Sequence, residues 1–135
     1  MREILFKAKR KDNSKWIKGY YQKRYDLLSN EEHLIFHADS YNVWEYAEII
    51  PETVCQFTGL CDKNGKKIWE NDILMANLDE SYPEDVTYKT VEWGVAGWVT
   101  HEANSIDRQY LDEFDLEHFE VVGNIFDNPE LLQEE

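Results

Sequence analysis

Apolar and polar residues alternate with a period of two along most of the chain, which is the spacing of strands rather than helices. Within Lys15–Tyr25, Trp16, Lys18 and Tyr20 fall on one side and Ile17, Gly19 and Tyr21 on the other. Ile4–Ala8 forms a shorter strand before it. The polar break Lys11-Asp-Asn-Ser14 has the length of a hairpin connection, so the two strands are predicted to pair. Gly19 inside the longer run marks a bulge or a close backbone approach. A loop through Leu27, Leu28 and Ser29–Glu32 leads to a strand at Leu34–Phe36. Another strand follows within Val43–Ile50, and Pro51 ends it by disfavouring helix at the residue before it.

The middle of the chain organises the remainder. Val54–Thr58 alternates again, Asp62-Lys-Asn-Gly65 supplies a turn, and Lys66–Trp69 begins the return strand. Asn64-Gly65 suits a tight hairpin because both residues tolerate positive φ. Glu70-Asn71-Asp72 is a second polar break before a buried strand at Ile73–Leu78. Beyond an acidic loop at Asp79–Asp85, Val86–Trp93 and Trp98–His101 flank Gly94–Gly97 as another hairpin. Ile106, Tyr110 and Phe114 recur every four residues with Leu111 near the same face, which predicts a short helix capped by Ser105. Phe119–Phe126 returns to strand character. Asn128-Pro129-Glu130 opens a short final helix, with Pro in the first turn and a negative charge at the positive end of the dipole.

A chain of 135 residues is the size of one domain. At that length roughly two-thirds of the unfolded surface is buried, so a core forms without staples. The domain, 1–135, reads as an N-terminal strand unit over 1–50 and a second β part over 51–135 that ends in the short helix. Aromatic residues make up 14% of the chain, suiting half-buried pleated surfaces and interfaces. No apolar run approaches the roughly 20 residues needed to cross a bilayer. The charged N-terminus lacks a signal-peptide stretch. A cytoplasmic protein with no membrane partner is therefore expected.

The residues that carry chemistry are sparse. Cys55 and Cys61 match no common zinc spacing and read as reduced thiols, Cys55 in the core. His33 and His37 stand four apart, but on a stretch that reads as strand, so they are taken as solvated or hydrogen-bonded side chains. The carboxylates of Asp79–Asp85 lack the ordered oxygen spacing and glycine of a calcium loop. Neither a metal nor a cofactor is expected. No Gly-rich phosphate loop and no Ser or Cys with an evident base is present, so the chain is read as not an enzyme.

Charge is the most informative bulk property. The formal net charge is −14, yet residues 1–25 hold nine Lys/Arg against Glu3 and Asp12, and no Lys or Arg lies between Asp26 and Asp62. A basic first strand unit is expected to lie against an acidic body or a neighbouring copy. Lys15, Trp16, Lys18, Tyr20, Lys23 and Arg24 form the candidate interaction surface. Cations interleaved with rings suit single-stranded nucleic acid, whose bases stack on aromatic faces. An ordinary edge strand shows the same pattern, however, and the acidic body repels nucleic acid. A protein partner is expected rather than nucleic acid.

Several segments together resemble the YopX family of phage and prophage proteins. Met1-Arg-Glu-Ile-Leu-Phe-Lys-Ala8 and Lys15–Tyr21 are similar to its opening, Pro51–Ile73 to its most recognisable block, and Val91-Glu-Trp93 and Glu120–Leu132 to the rest. The motif positions are Gly59, Asn64, Gly65, Asn71, Asp72, Gly123, Asn124, Asn128 and Pro129. Two positions depart: Cys61 stands where the family has another residue, and Asn71 where Gly is usual, which asks Asn to take a left-handed turn conformation. The resemblance implies a mainly β (α+β) fold with a small SH3-like barrel or roll, added N-terminal strands and short C-terminal helices. It also implies self-association into a homo-oligomer, a further partner among host or phage proteins, and action in the cytoplasm of a bacterial host. No catalytic residue carries over. The alternative to a self-associating interaction module is an acidic nucleic-acid mimic that occupies a host DNA-binding protein.

Overall fold

The computed structural model describes residues 4–38 and 41–133, so Met1–Glu3 of the family-like opening lie outside the described residues. Two units, 1–57 and 58–135, divide the chain within β5 (Cys55–Cys61), a few residues past the expected break at Pro51.

In the first unit, β1 (Phe6–Lys9), β2 (Trp16–Tyr25), β3 (Glu31–Ala38) and β4 (Trp44–Glu48) pair antiparallel in the order β4-β3-β2-β1, with β5 next to β1. The polar breaks become its turns. At the β2–β3 turn the Asp26 carboxylate accepts from the N–H groups of Leu28 at 2.8 Å and Asn30 at 2.9 Å. Those bonds, that from Asn30 foremost, hold its pKa below the usual carboxylate value. Gly19 meets the expected close approach: a Cβ there would stand 2.1 Å from the Phe36 carbonyl oxygen. An isolated Arg10–Ile49 bridge, with Ile50 N–H donating to the Lys9 carbonyl at 2.9 Å, ties the end of β4 to β1. The core is Ala8, Ile35 and Ile49, against which Phe6, Ile17, Tyr21 and Val54 pack.

The second unit holds the rest of β5, then β6 (Lys67–Trp69), β7 (Asp72–Ala76), β8 (Thr87–Trp93), β9 (Trp98–Glu102), β10 (Arg108–Tyr110), α1 (Glu113–His118) and β11 (Glu120–Asn124). Here β6 pairs β5, and a five-stranded antiparallel sheet runs β10-β9-β8-β7-β11. Its core is Ile68, Leu74, Ala76, Val91, Trp98 and Phe119. A buried ion pair joins it, the Lys89 ammonium lying 3.1 Å from Asp115 Oδ1 and 4.8 Å from the centroid of the Phe119 ring.

Three expectations need correction. The strands form two antiparallel sheets, not a closed barrel; β4 and β6, and β10 and β11, stand at the ends of the two strand orders. The helix expected from Ser105 to Phe114 is absent. Ile106 and Tyr110 are exposed, so their spacing had no apolar face to bury. Residues 108–110 instead pair with β9, and α1 starts later, where Asp112 and Asp115 form a reciprocal capping box. At Asn64-Gly65 only Gly65 has positive φ (+81°): the turn closes through Gly65 N–H to the Asp62 carbonyl at 2.9 Å, and the glycine takes the left-handed step back into the strand. The short final helix forms as expected, as a single 3₁₀ turn, Pro129–Leu132, with Pro129 and Glu130 in its first turn.

The recognisable central block staples the last strand in place. Asp62, 7% exposed, accepts through Oδ1 from the N–H groups of Asn64 and Lys66, both at 2.9 Å, and through Oδ2 from Val121 N–H at 2.8 Å. One carboxylate therefore shapes the β5–β6 turn and holds the start of β11. At the other end of β11, Ile125 N–H donates to the Asn71 carbonyl at 3.0 Å. Asn71 takes the expected left-handed conformation, φ +69°. Asp72, 2% exposed, accepts from Trp69 N–H at 2.8 Å. Asn124 Oδ1 accepts from Phe126 and Asp127 N–H, and Asn128 Oδ1 accepts from Asn124 N–H at 3.2 Å, so the turn after β11 is closed by the motif side chains themselves.

Replacing Asp62 by Ala strands three N–H donors at once. Urea unfolding of Asp62→Ala should show a loss of about 2–4 kcal/mol, and a change within about 0.5 kcal/mol would contradict the staple.

A cationic aromatic sheet face as the candidate functional site

Strand pairing decides which side chains share a face. Lys7 is opposite Lys18 and Lys9 opposite Trp16; Tyr20 is opposite Phe36, itself opposite Tyr46; Ala38 is opposite Trp44, and Arg24 opposite Glu32. Successive side chains point to opposite faces of a strand. Lys7, Lys9, Trp16, Lys18, Tyr20, Arg24, Phe36, Trp44 and Tyr46 therefore lie on one face of the β1–β4 sheet. Ala8, Ile17, Tyr21 and Ile35 lie on the other, in the core. Tyr20, Trp44 and Tyr46 are each more than half exposed (57%, 59% and 59%), whereas Leu34 on the same face is buried.

The rings meet in pairs across the strands. Tyr20 and Trp44 have centroids 5.9 Å apart, and Phe36 and Tyr46 5.5 Å apart, both tilted. The Lys7 and Lys9 ammonium groups lie 4.7 and 5.5 Å from the Trp16 ring centroid, and the Arg24 guanidinium lies 5.2 Å from that of Tyr46. Cations at that distance are held by the ring quadrupole. Glu32 holds Arg24 at 2.9 Å and raises its already high pKa. The rings offer flat apolar surfaces edged with positive charge, a combination suited to binding.

Of the six residues singled out from the sequence, Trp16, Lys18, Tyr20 and Arg24 share this face. Lys23, next in the alternation, points to the opposite face and pairs with Glu31 at 2.6 Å. That contact, ahead of the neighbouring His33, lowers the Glu31 pKa. Its small contribution is thus present above the ordinary carboxylate pKa and is lost as pH falls through the lowered value. Lys15 precedes β2 and belongs to the β1–β2 turn, where its N–H donates to Asn13 Oδ1 at 2.9 Å. Lys7, Lys9, Phe36, Trp44 and Tyr46 were not singled out. The i, i+2 spacing of Trp44 and Tyr46 was visible, but their convergence with Tyr20 depends on a register that turn lengths alone do not set.

His33 is hydrogen-bonded, as read: Tyr21 Oη lies 2.5 Å from its Nδ1 and Glu31 3.4 Å from its Nε2. It lines a cavity of about 290 Å³ with Lys11, Glu31, Glu48 and Ile49–Pro51. Among the described residues, no group of three or more His, Cys, Asp or Glu is placed to hold a metal. Cys55 is buried, its Sγ donating to the Thr53 carbonyl at 3.2 Å, and Cys61 is exposed; the two form no disulfide. Asn64, Gly65, Asn71, Asp72, Gly123, Asn124, Asn128 and Pro129 belong to the staples and turns of residues 58–135, and Gly59 lies inside β5 with φ +87°.

The family model for YopX protein matches residues 5–133, nearly the whole chain. The chain belongs to the YopX family. The crystal structure of protein EF1440 from Enterococcus faecalis resembles this YopX-family chain with a TM-score of 0.63 at 20% identity, covering 98% of this chain and 100% of that one. That likeness shows a shared fold. A comparison with curated proteins returned no match. Among the described residues, no helix is long and apolar enough to cross a membrane.

Charge in this YopX-family chain divides with the units. Residues 1–57 carry nine basic and nine acidic residues and are formally neutral; residues 58–135 carry five and 19 and hold the whole net −14. The basic N-terminal strands are offset by carboxylates within their own unit, through pairs such as Lys11–Glu48 at 3.3 Å and Arg24–Glu32 at 2.9 Å.

The exposed rings are not core. Tyr20→Ser and Trp44→Ser should each lower stability by only about 1 kcal/mol, the worth of a surface ring pair, while Ile35→Ala should cost about 2–5 kcal/mol. Urea titration of the three variants checks this, and unfolding of either ring variant at neutral pH would show that the face is structural.

Proposed function

We infer that this YopX-family protein is a non-catalytic interaction module that self-associates, acting as a phage accessory protein in the bacterial cytoplasm. The observation that carries this reading is the pairing, on one chain, of an exposed ring array edged with cations and a second unit holding all the net negative charge. Large half-exposed aromatic side chains are over-represented at interfaces, where they bury much area at little entropic cost. Opposite charge steers such faces together and makes the contact sensitive to salt. The family resemblance supports the phage setting.

A second reading draws on the same charge distribution. A unit of 78 residues with 19 carboxyl-bearing side chains and five basic ones presents a field like that of a nucleic-acid backbone. As an acidic mimic it would occupy the DNA site of a host protein. Capture of such a protein from bacterial lysate, reversed by added DNA, is the outcome specific to that reading.

Size-exclusion chromatography with light scattering tests self-association. At roughly 50 mM salt the mass should exceed the 16.1 kDa of one chain, and at roughly 500 mM, where the screening length falls to a few ångströms, it should move toward one chain. A single-chain mass at every protein concentration and at both salt levels contradicts it.

A further inference from the structure

A second concave surface, on residues 58–135, has the chemistry to receive the ring array. Leu78, Glu80, Phe114, Glu117 and His118, with Lys63 at the margin, line a cavity of about 350 Å³ beside the β7–β8 loop and α1. Its apolar part is open, Leu78 being 51% and Phe114 49% exposed. The Phe114 ring stacks on His118 with centroids 4.1 Å apart, and His118 Nδ1 lies 2.9 Å from the Phe114 carbonyl, so this wall is held in place. The loop that brings Glu80 is itself organised: Ser81 N–H donates to Asp79 Oδ1 at 3.0 Å, and Asp85 N–H to the Tyr82 carbonyl at 2.9 Å. Glu80 and Glu117 form no ion pair among the described residues, in contrast to Glu31, Glu32 and Glu48 of the first unit.

Building on the self-association inferred above, and dependent on it, we propose that the cavity between the β7–β8 loop and α1 of one copy receives the cationic aromatic face of β1–β4 from a second copy. The cavity has room for an aromatic side chain against Leu78 and Phe114, while Glu80 and Glu117 meet the cations that accompany the rings. A second copy is the occupant favoured by charge complementarity, because the two halves of the contact are present in equal amount wherever the protein is present. The contact joins unlike patches, so it is head-to-tail, and assemblies close as rings or extend as filaments.

Reciprocal charge exchange tests the assignment on the full chain. Lys18→Glu and Glu117→Lys should each weaken assembly by about tenfold or more, because like charges then face one another. The double variant Lys18→Glu/Glu117→Lys should recover it, as should an equimolar mixture of the two single variants. Light scattering reads the assembly, and circular dichroism with urea midpoints confirms that each variant is folded. Assembly unchanged in both single variants, or lost in both and not recovered in the double variant, overturns this cavity as the receiving site while self-association stands. A wild-type chain that is monomeric throughout removes the underlying reading as well. A monomer that binds a labelled single-stranded oligonucleotide, and releases it on Lys18→Glu, overturns the proposal in favour of a nucleic-acid face.

Discussion

Antiparallel pairing of β1–β4 is the constraint on which the rest depends. Side chains alternate across a pleated sheet, so one register settles two things together: what is buried on one face and what is displayed on the other. With Lys9 opposite Trp16 and Tyr20 opposite Phe36, the core face receives Ala8, Ile17, Tyr21 and Ile35. The other face then receives three half-exposed rings among the cations. A shift of one residue would bury lysines and expose the aliphatic core. The candidate face is thus a consequence of the same hydrophobic burial that holds the sheet.

The second unit shows why family membership here speaks to fold more than to activity. Its most recognisable residues are engaged in backbone capture. Asp62 holds the β5–β6 turn and Val121 with one carboxylate; Asn71 offers its carbonyl to Ile125; Asn124 and Asn128 close the turn after β11. These contacts bind the C-terminal strand to β7 and to two upstream turns. For Asp62, Asn124 and Asn128 the side-chain bonds give a structural role that needs no substrate, and fold alone does not assign function.

Much of this was legible from local chemistry. Polar breaks with Asn, Asp and Gly marked the turns, and the period of two located most strands, because both signals act within a few residues. Asn71 was read correctly as a left-handed residue. The errors came where tertiary context outweighed local pattern. The four-residue spacing of Ile106, Tyr110 and Phe114 imitated a helix face, yet residues 108–110 found backbone partners on β9, and the capping box at Asp112 placed the helix start later. Asn64 was assigned a conformation that Gly65 alone adopts, since the turn is one residue longer than the tightest hairpin. The barrel implied by resemblance is two sheets. For the candidate site, β2 supplied four of the nine face residues from sequence alone; Lys7, Lys9, Phe36, Trp44 and Tyr46 join it only through pairing across the sheet.

Segregation of charge links the fold to the proposed function. A neutral unit displaying rings and a unit carrying −14 occur on one polypeptide, so each copy would bring both halves of the proposed contact. Hydroxyl-radical footprinting as a function of protein concentration tests this most directly, because it reads the rings themselves. Tyr20, Trp44 and Tyr46 should lose reactivity as assembly proceeds, while the fully exposed Leu27 and Val95 at turn tips stay reactive. Rings that remain as reactive in the assembled protein as in the dilute one would contradict the account.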